Sequence, residues 1–364
     1  MSNNNMKIKI IIIIILITFI TLTSFYENNI VDNNIVESND FNNKKNETLK
    51  ELSVGYFPNI NHLQAVIGFG NGEFQKAIGN QTNIKTKIFN AGPSVIEALF
   101  ANEIDIAFVG PNPAINGYSI SDGSLKIISG VASGGVSFVV RNDSGIESVL
   151  DLNQKKFASP QIGNTQDVAL KTYLQENNVS ITEFGGSTKV IPAKNPDIFT
   201  LMLKKDIDGA WVPEHWASKL IKETNSFRLL DERSLWPPDG KFVTTMIVAK
   251  TDIIENHPDV VKILLEKNVE LTDWFNENKE EGILIFNQEL EKITGKQIPE
   301  DELKDAISRI DFTYDPIKTS LFKVADDAFD LGYLGKTKPN LTNIFDLTLL
   351  NQVINETNSL KTNN

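Results

Sequence analysis

Two stretches of this chain repeat one pattern at a constant offset of about one hundred residues. Residues 88-IFNAGPSVIEALFANEIDIAFVGPN-112 align without a gap with 191-IPAKNPDIFTLMLKKDIDGAWVPEH-215. Gly92-Pro93-Ser94 answers Asn195-Pro196-Asp197, Ile104-Asp105 answers Ile207-Asp208, and Ala107-Phe108-Val109 answers Ala210-Trp211-Val212. Each copy reads as strand, helix with proline in its first turn, tight turn, second strand and new helix. A duplicated unit of this kind implies two similar α/β lobes facing each other.

The rest of the chain keeps that rhythm. LSVGYF, TKIF, DIAFV, LKIISGV, SFVVR, KKFAS, KVIPA, DGAWV and FVTTMIVAK are short apolar runs separated by helical patterns. Strands that alternate with helices predict parallel sheets covered on both faces. After Asp252 the pattern is mostly helical, with 258-PDVVKILLEKNVELTDWFNEN-278 amphipathic.

The N-terminus follows different rules. Two lysines precede an uncharged apolar run from Ile10 to Tyr26, the form of an export signal, at the short limit for spanning a bilayer. Residues 1–26 therefore read as a signal peptide or a membrane anchor. Residues 27–50 are polar and Asn-rich and read as a disordered tether. The folded part is expected outside the cytoplasmic membrane.

Composition narrows the chemistry. The 364 residues carry a net charge of −12, so the overall field does not attract nucleic acid, and a bound anion must be held by local donors. Without cysteine there are no disulfides, thiolate metal sites or cysteine nucleophiles. His62, His215 and His257 have no metal-ligand spacing, so neither a metal nor a cofactor is expected. No Gly-x-Ser-x-Gly and no phosphate-binding Walker loop occurs. What remains is a set of strand ends that run straight into helix starts, at Gly92, Gly110, Gly163 and Val212. Helix N-termini hold anions without a basic side chain, and in open α/β sheets ligands sit beyond the carboxyl ends of the strands.

Taken in order, GYFPNINH (55–62), IDIAFVGPNPAI (104–115), ASGG (132–135), GNTQDVALKTYL (163–174), IDGAWVPEHWA (207–217) and DERSLWP (231–237) resemble the substrate-binding proteins of ABC importers, within them the nitrate/sulfonate/taurine group. The resemblance spans about residues 51–350. It implies the type II periplasmic-binding-protein fold: two Rossmann-like lobes joined by a hinge, with a helical C-terminal part packed on lobe I. It places the crossings near Val140–Arg141 and Lys241–Thr245. Lobe I is then 51–140 with 245–350, lobe II is 141–244, and 351–364 is a tail. It also implies a monomer that captures a small anionic or zwitterionic solute, such as taurine or an alkanesulfonate, and delivers it to a membrane permease. Nitrate or a thiamine precursor on the same scaffold, or an anchored sensor without transport, are the other readings. The superfamily's thiamine-pyrimidine synthase uses a cysteine-rich motif, which this chain lacks.

The ligand residues expected are Asn59 and His62 after the first strand, Asn112 at a helix start, Ser133, Gly134 and Gly135 in a small-residue turn, and Asn164, Thr165 and Gln166 at a second helix start. Each has an alternative role in capping or in the hinge. Glu214 and Trp216 complete the set. A carboxylate at Glu214 would repel a simple anion and pair with an ammonium, which favours a zwitterion.

Overall fold

A computed structural model describes residues 48–362, and from Leu49 on they form one compact unit. The signal or anchor expected at 1–26 lies outside the described residues, as does the tether up to residue 47. Eleven strands are present among the described residues: β1 (Glu51–Tyr56), β2 (Asn83–Ile88), β3 (Ile106–Val109), β4 (Leu125–Gly134), β5 (Val136–Arg141), β6 (Lys156–Ser159), β7 (Lys189–Pro192), β8 (Gly209–Pro213), β9 (Ser226–Asp231), β10 (Val243–Lys250) and β11 (Ile310–Phe312). The sequence pattern anticipates all but β9 and β11. The first of these alternates irregularly and the second is three residues long.

The strands make two sheets, ordered β11-β4-β10-β3-β1-β2 and β7-β6-β8-β5-β9. The sequence echo is also a topological one. Helix Gly92–Phe100 links β2 to β3, helix Asn195–Leu203 links β7 to β8, and each has proline in its first turn. In both sheets the duplicated strands lie on either side of a central partner: β2-β1-β3 in one, β7-β6-β8 in the other. The buried run Ile106–Val109 shows why β3 forms in the middle of a sheet. Ile106 and Phe108 pack into the core on one face with Leu52 and Val54, while Ala107 and Val109 pack on the other with Val95 and Ile115. In the second sheet Trp211 faces Phe138 and Phe157, and Ala210 and Val212 face Ile198 and Leu220.

Two expectations need correction. The sheets are mixed rather than parallel: β10 runs antiparallel to β3 and β4, and β5 runs antiparallel to β8 and β9. These are the strands at the passages between the lobes, and a chain that runs directly from one sheet into the other enters its neighbour in the opposite sense. The first crossing also comes earlier than Val140–Arg141. The break is at Gly134–Gly135, whose φ values of 75° and 70° suit glycine alone, and Val136–Arg141 already belongs to the second sheet. A side chain on Gly135 would meet Ile310 Cγ1 at 2.4 Å, so the turn is close-packed as well as left-handed.

The C-terminal part is helical, as expected, and joins the core of the first sheet through helices Pro258–Glu277, Lys279–Thr294 and Glu300–Ile307. Residues 351–362 are not a tail. They belong to helix Thr348–Thr362, whose Leu350 and Val353 are buried in the same core and whose Glu356 pairs with Lys262. Its apolar spacing is sparse between asparagines and threonines, which hid the helix from the sequence pattern. Among the described residues no helix is long and apolar enough to cross a membrane.

Candidate functional site

The carboxyl ends of the parallel strands of both sheets converge on one cavity of about 30 Å³. Phe57, Asn59, Asn61 and His62 reach it from the turn after β1, Asn90 from the end of β2, and Gly110 from the end of β3. From the facing lobe come Asn164, Thr165 and Gln166 after β6, Asn195 after β7 and Pro213 at the end of β8. Thr244 and Thr245 of β10 close the wall. Two of the three flanking helices, Thr165–Glu176 and Asn195–Leu203, begin at cavity residues, and the third, Pro111–Ile120, begins directly after Gly110. Their first turns carry partial positive charge, but Pro111, Pro113 and Pro196 have no N–H, so the backbone donors without a helical partner are those of Asn112, Thr165, Gln166 and Asn195.

The lining holds no lysine, arginine or carboxylate. It is an amide cradle. Asn59 Oδ1, Asn61 Oδ1 and Asn195 Oδ1, which are acceptors, and the Thr165 hydroxyl, which can donate, are buried and have no partner within the protein, although buried polar atoms are normally satisfied. Asn61 is oriented by its own amide nitrogen, which donates to Gly134 O (3.1 Å) and Thr244 Oγ1 (3.3 Å). Asn164 Nδ2 donates to Gln166 Oε1 (3.1 Å). The turn that presents Thr165 is fixed from behind by Asp167, which is fully buried and accepts from Ser159 Oγ (2.7 Å), Gly163 N (3.0 Å) and Tyr333 OH (2.9 Å) and pairs with Lys171 (3.2 Å).

His62 is neutral in this setting, because burial pushes its pKa down to about 3. Phe57 N donates to its Nδ1 (3.4 Å), so the ring proton sits on Nε2 and that nitrogen is a donor. His215 is likewise lowered to about 3, first by burial and then by Lys219, and it stacks on Trp216 at 5.2 Å. A histidine whose folded pKa lies below the ordinary 6.5 costs stability as pH falls from about 6.5 toward 3, because the unfolded chain takes the proton more readily. Wild type should therefore lose on the order of 2 kcal/mol relative to His215→Gln between pH 7 and 4.5, read from urea midpoints. A difference between the two proteins that stays constant with pH would show that His215 titrates freely in the fold.

The structure brings together five of the residues expected from sequence: Asn59, His62, Asn164, Thr165 and Gln166. It does not bring in the others. Ser133 Oγ accepts from Phe242 N (3.2 Å), and Gly134 and Gly135 form the interlobe turn, so ASGG is a hinge element. Asn112 faces a separate cavity. Trp216 packs on the hydrophobic core of the second lobe. Glu214 is the main correction. It is fully buried and away from the cradle, its Oε1 accepts from Arg228 (2.9 Å), and its Oε2 accepts from Ser218 N (3.0 Å) and Ser218 Oγ (2.8 Å). Burial pushes its pKa up, with Arg228 and Ser218 pulling the other way. In the echo Glu214 stands opposite Pro111, but its helix starts two residues later, at Trp216, so the carboxylate turns back to cap that helix instead of facing the cleft.

Asn61, Asn90, Asn195, Thr244 and Thr245 were missed. Asn61 sits inside GYFPNINH and Asn195 inside the echo, so a signal existed for both. Nothing local marks the two threonines, which reach the cavity because β10 crosses between the lobes. Among the described residues no group of three His, Asp or Glu side chains is placed to hold a metal.

Residues 45–284 match the model of the NMT1-like family. The chain belongs to the NMT1-like family. A candidate binding protein of Brucella abortus is 25% identical over 227 residues, covering 60% of this chain and 68% of that protein. Among solved structures, the alkanesulfonate-binding protein SsuA of Xanthomonas axonopodis bound to MOPS superposes with a TM-score of 0.66 at 16% identity, covering 80% of this chain and 96% of that one. The aliphatic sulphonate-binding protein SsuA of Escherichia coli gives 0.65 at 19% identity, with 82% and 92% covered. The nitrate-binding protein NrtA of Synechocystis gives 0.67 at 14% identity, with 85% and 89% covered. The fold of this NMT1-like chain is thus that of the periplasmic binding proteins. These neighbours are binding proteins.

Proposed function

We propose that this chain is the extracytoplasmic solute-binding protein of an ABC importer, and that its cradle holds the oxyanion head of a small sulfonate for delivery to a membrane permease. The observation that carries the reading is the uncharged cradle in which the unpartnered Thr165 hydroxyl and the neutral His62 are donors and two helices, Thr165–Glu176 and Asn195–Leu203, begin. Such a site holds an anion with directional donors and no counter-charge. Its volume of about 30 Å³ suits a group of roughly two or three water-sized atoms, as in a sulfonate or nitrate head. The structural neighbours bind ligands with such heads, which supports the reading. An ammonium partner at Glu214 has no place in it, so taurine has no advantage at the head over an alkanesulfonate without an amine.

Calorimetric titration of the full chain with ethanesulfonate, taurine, nitrate and sulfate tests the proposal. Ethanesulfonate and taurine should bind with a Kd on the order of 1 μM or tighter, about −8 kcal/mol. Binding of nitrate without any sulfonate would replace the ligand class, and binding of none of the four would remove the oxyanion reading.

A further inference from the structure

A second cavity, of about 170 Å³, adjoins the cradle and shares Thr165 with it. It lies between helix Thr165–Glu176, the segment after β9, and helix Lys318–Asp330. Its character differs from that of the cradle. Tyr173 and Trp236 line it with rings, and Trp236 stacks on Phe242 at 5.3 Å with planes 7° apart. Asn112 is 3% exposed, and neither atom of its amide has a protein partner. Thr172 Oγ1 is also unpartnered.

The charge around it is one-sided. Glu232, Glu176 and Asp327 line the cavity against a single cation, Lys323, which is paired with Asp327 (3.0 Å) and lies 5.7 Å from the centre of the Trp236 ring, where a cationic ligand ring would displace it. Glu232 is 4% exposed, and the one cation of the cavity lining is paired with Asp327 and not with it. Its Oε2 accepts from Trp211 Nε1 (2.6 Å), and burial pushes its pKa up to about 7 although hydrogen bonds from Trp211 and Trp236 pull the other way. A buried carboxyl between aromatic walls, with no counter-ion of its own, suits a positive ring.

We propose that this second cavity takes the tail of the ligand and that the tail is a cationic ring, which makes the preferred solute a zwitterionic sulfonate with the oxyanion in the cradle and the ring against Trp236 and Glu232. The inference rests on the oxyanion reading of the cradle. It moves the charge-pairing role that sequence assigns to Glu214 onto a different carboxylate. Asn112, expected from sequence at the ligand, belongs on this side, where its unpartnered amide lines the second cavity.

Four probes separate the parts: methanesulfonate (head only), 3-phenylpropanesulfonate (head and neutral ring), 3-(1-pyridinio)propanesulfonate (head and cationic ring) and the N-propylpyridinium cation (ring only). Calorimetry on the full chain should show the pyridinium sulfonate binding about tenfold or more tighter than the phenyl compound, and the phenyl compound tighter than methanesulfonate. In Glu232→Gln, where the amide keeps the acceptor for Trp211, the ratio of pyridinium to phenyl affinity should fall toward one. In Ala169→Leu, which fills the second cavity, the ratio of either ring compound to methanesulfonate should fall. If methanesulfonate binds but neither ring compound binds tighter, or if both ratios survive both substitutions, the inference is wrong while the cradle stands. If the pyridinium compounds bind with Glu232-dependent affinity and methanesulfonate does not, the oxyanion reading is wrong while the second cavity stands. If no probe binds, both fall.

Discussion

Gly110→Ala should weaken sulfonate binding ten- to hundredfold and leave the melting temperature of the ligand-free protein almost unchanged. Gly110 has φ −76° and ψ 165°, which alanine adopts freely, so the residue is not glycine for backbone reasons. Within its own lobe an added methyl would find Thr244 O at 3.4 Å, an ordinary contact. Across the cleft it would lie 2.4 Å from Thr165 Oγ1. Rotating Thr165 away relieves the overlap only by taking a cradle hydroxyl out of the cavity. Overpacking of this kind costs about 1–3 kcal/mol, and here the cost falls only on the form in which the lobes meet. Binding needs that form, so the whole penalty appears in the Kd, and 1.4 kcal/mol is about tenfold. Calorimetry with ethanesulfonate reads the affinity, and small-angle scattering reads lobe closure. An unchanged Kd would mean that the ligand is held without apposition of Gly110 and Thr165.

Glu214→Ala should lower the stability of the fold by about 3 kcal/mol, with a much smaller effect on the ranking of ligands. The carboxylate is fully buried, caps helix Trp216–Glu223 through Ser218, and is bound to Arg228. Removing one partner of a buried pair typically costs about 3–5 kcal/mol, and the low end applies because Arg228 keeps Asp305 at 3.1 Å. Asp305 also accepts from Ser218 Oγ (2.8 Å) and pairs with Arg309, which in turn pairs with Asp231. This network joins helix Glu300–Ile307, packed on the first sheet, to β9 and helix Trp216–Glu223 of the second lobe. Glu214 is therefore part of an interlobe clasp. Equilibrium urea unfolding measures the loss. A variant as stable as wild type that discriminates specifically against amino-sulfonates would restore Glu214 to the ligand and contradict the hydrogen bonds described above.

Part of the lining of the candidate cavity was legible before any fold was known. Asn164, Thr165 and Gln166, which line the cavity, stand out in the sequence because three donor side chains at one helix start exceed what a cap requires. Asn59 and His62, which also line it, stand out because they follow a strand that ends in a turn. The misreadings share one cause. Ser133–Gly135 and Glu214 have the residue types of a binding site, but their partners come from far along the chain: Phe242 and Ile310 for the turn, Arg228 and Asp305 for the carboxylate. A motif shows what a side chain can do, while its hydrogen-bond partners decide what it does.

What this sequence determined by itself was the unit and its duplication. Short buried runs with period-two faces, proline in the first helical turn and the unbroken echo of 88–112 in 191–215 are local signals, so they specify strands, helix starts and two lobes without knowledge of the contacts between them. Only the tertiary structure decided which strand ends face one another, that β10 brings Thr244 and Thr245 to the cradle, that the lobe crossing falls at two left-handed glycines, and that Glu214 is neutralised by an arginine fourteen residues away. Those outcomes depend on pairings between residues distant in sequence. The charge, exposure and free lone pairs of a side chain are properties of its surroundings, which are assembled only when the two lobes come together.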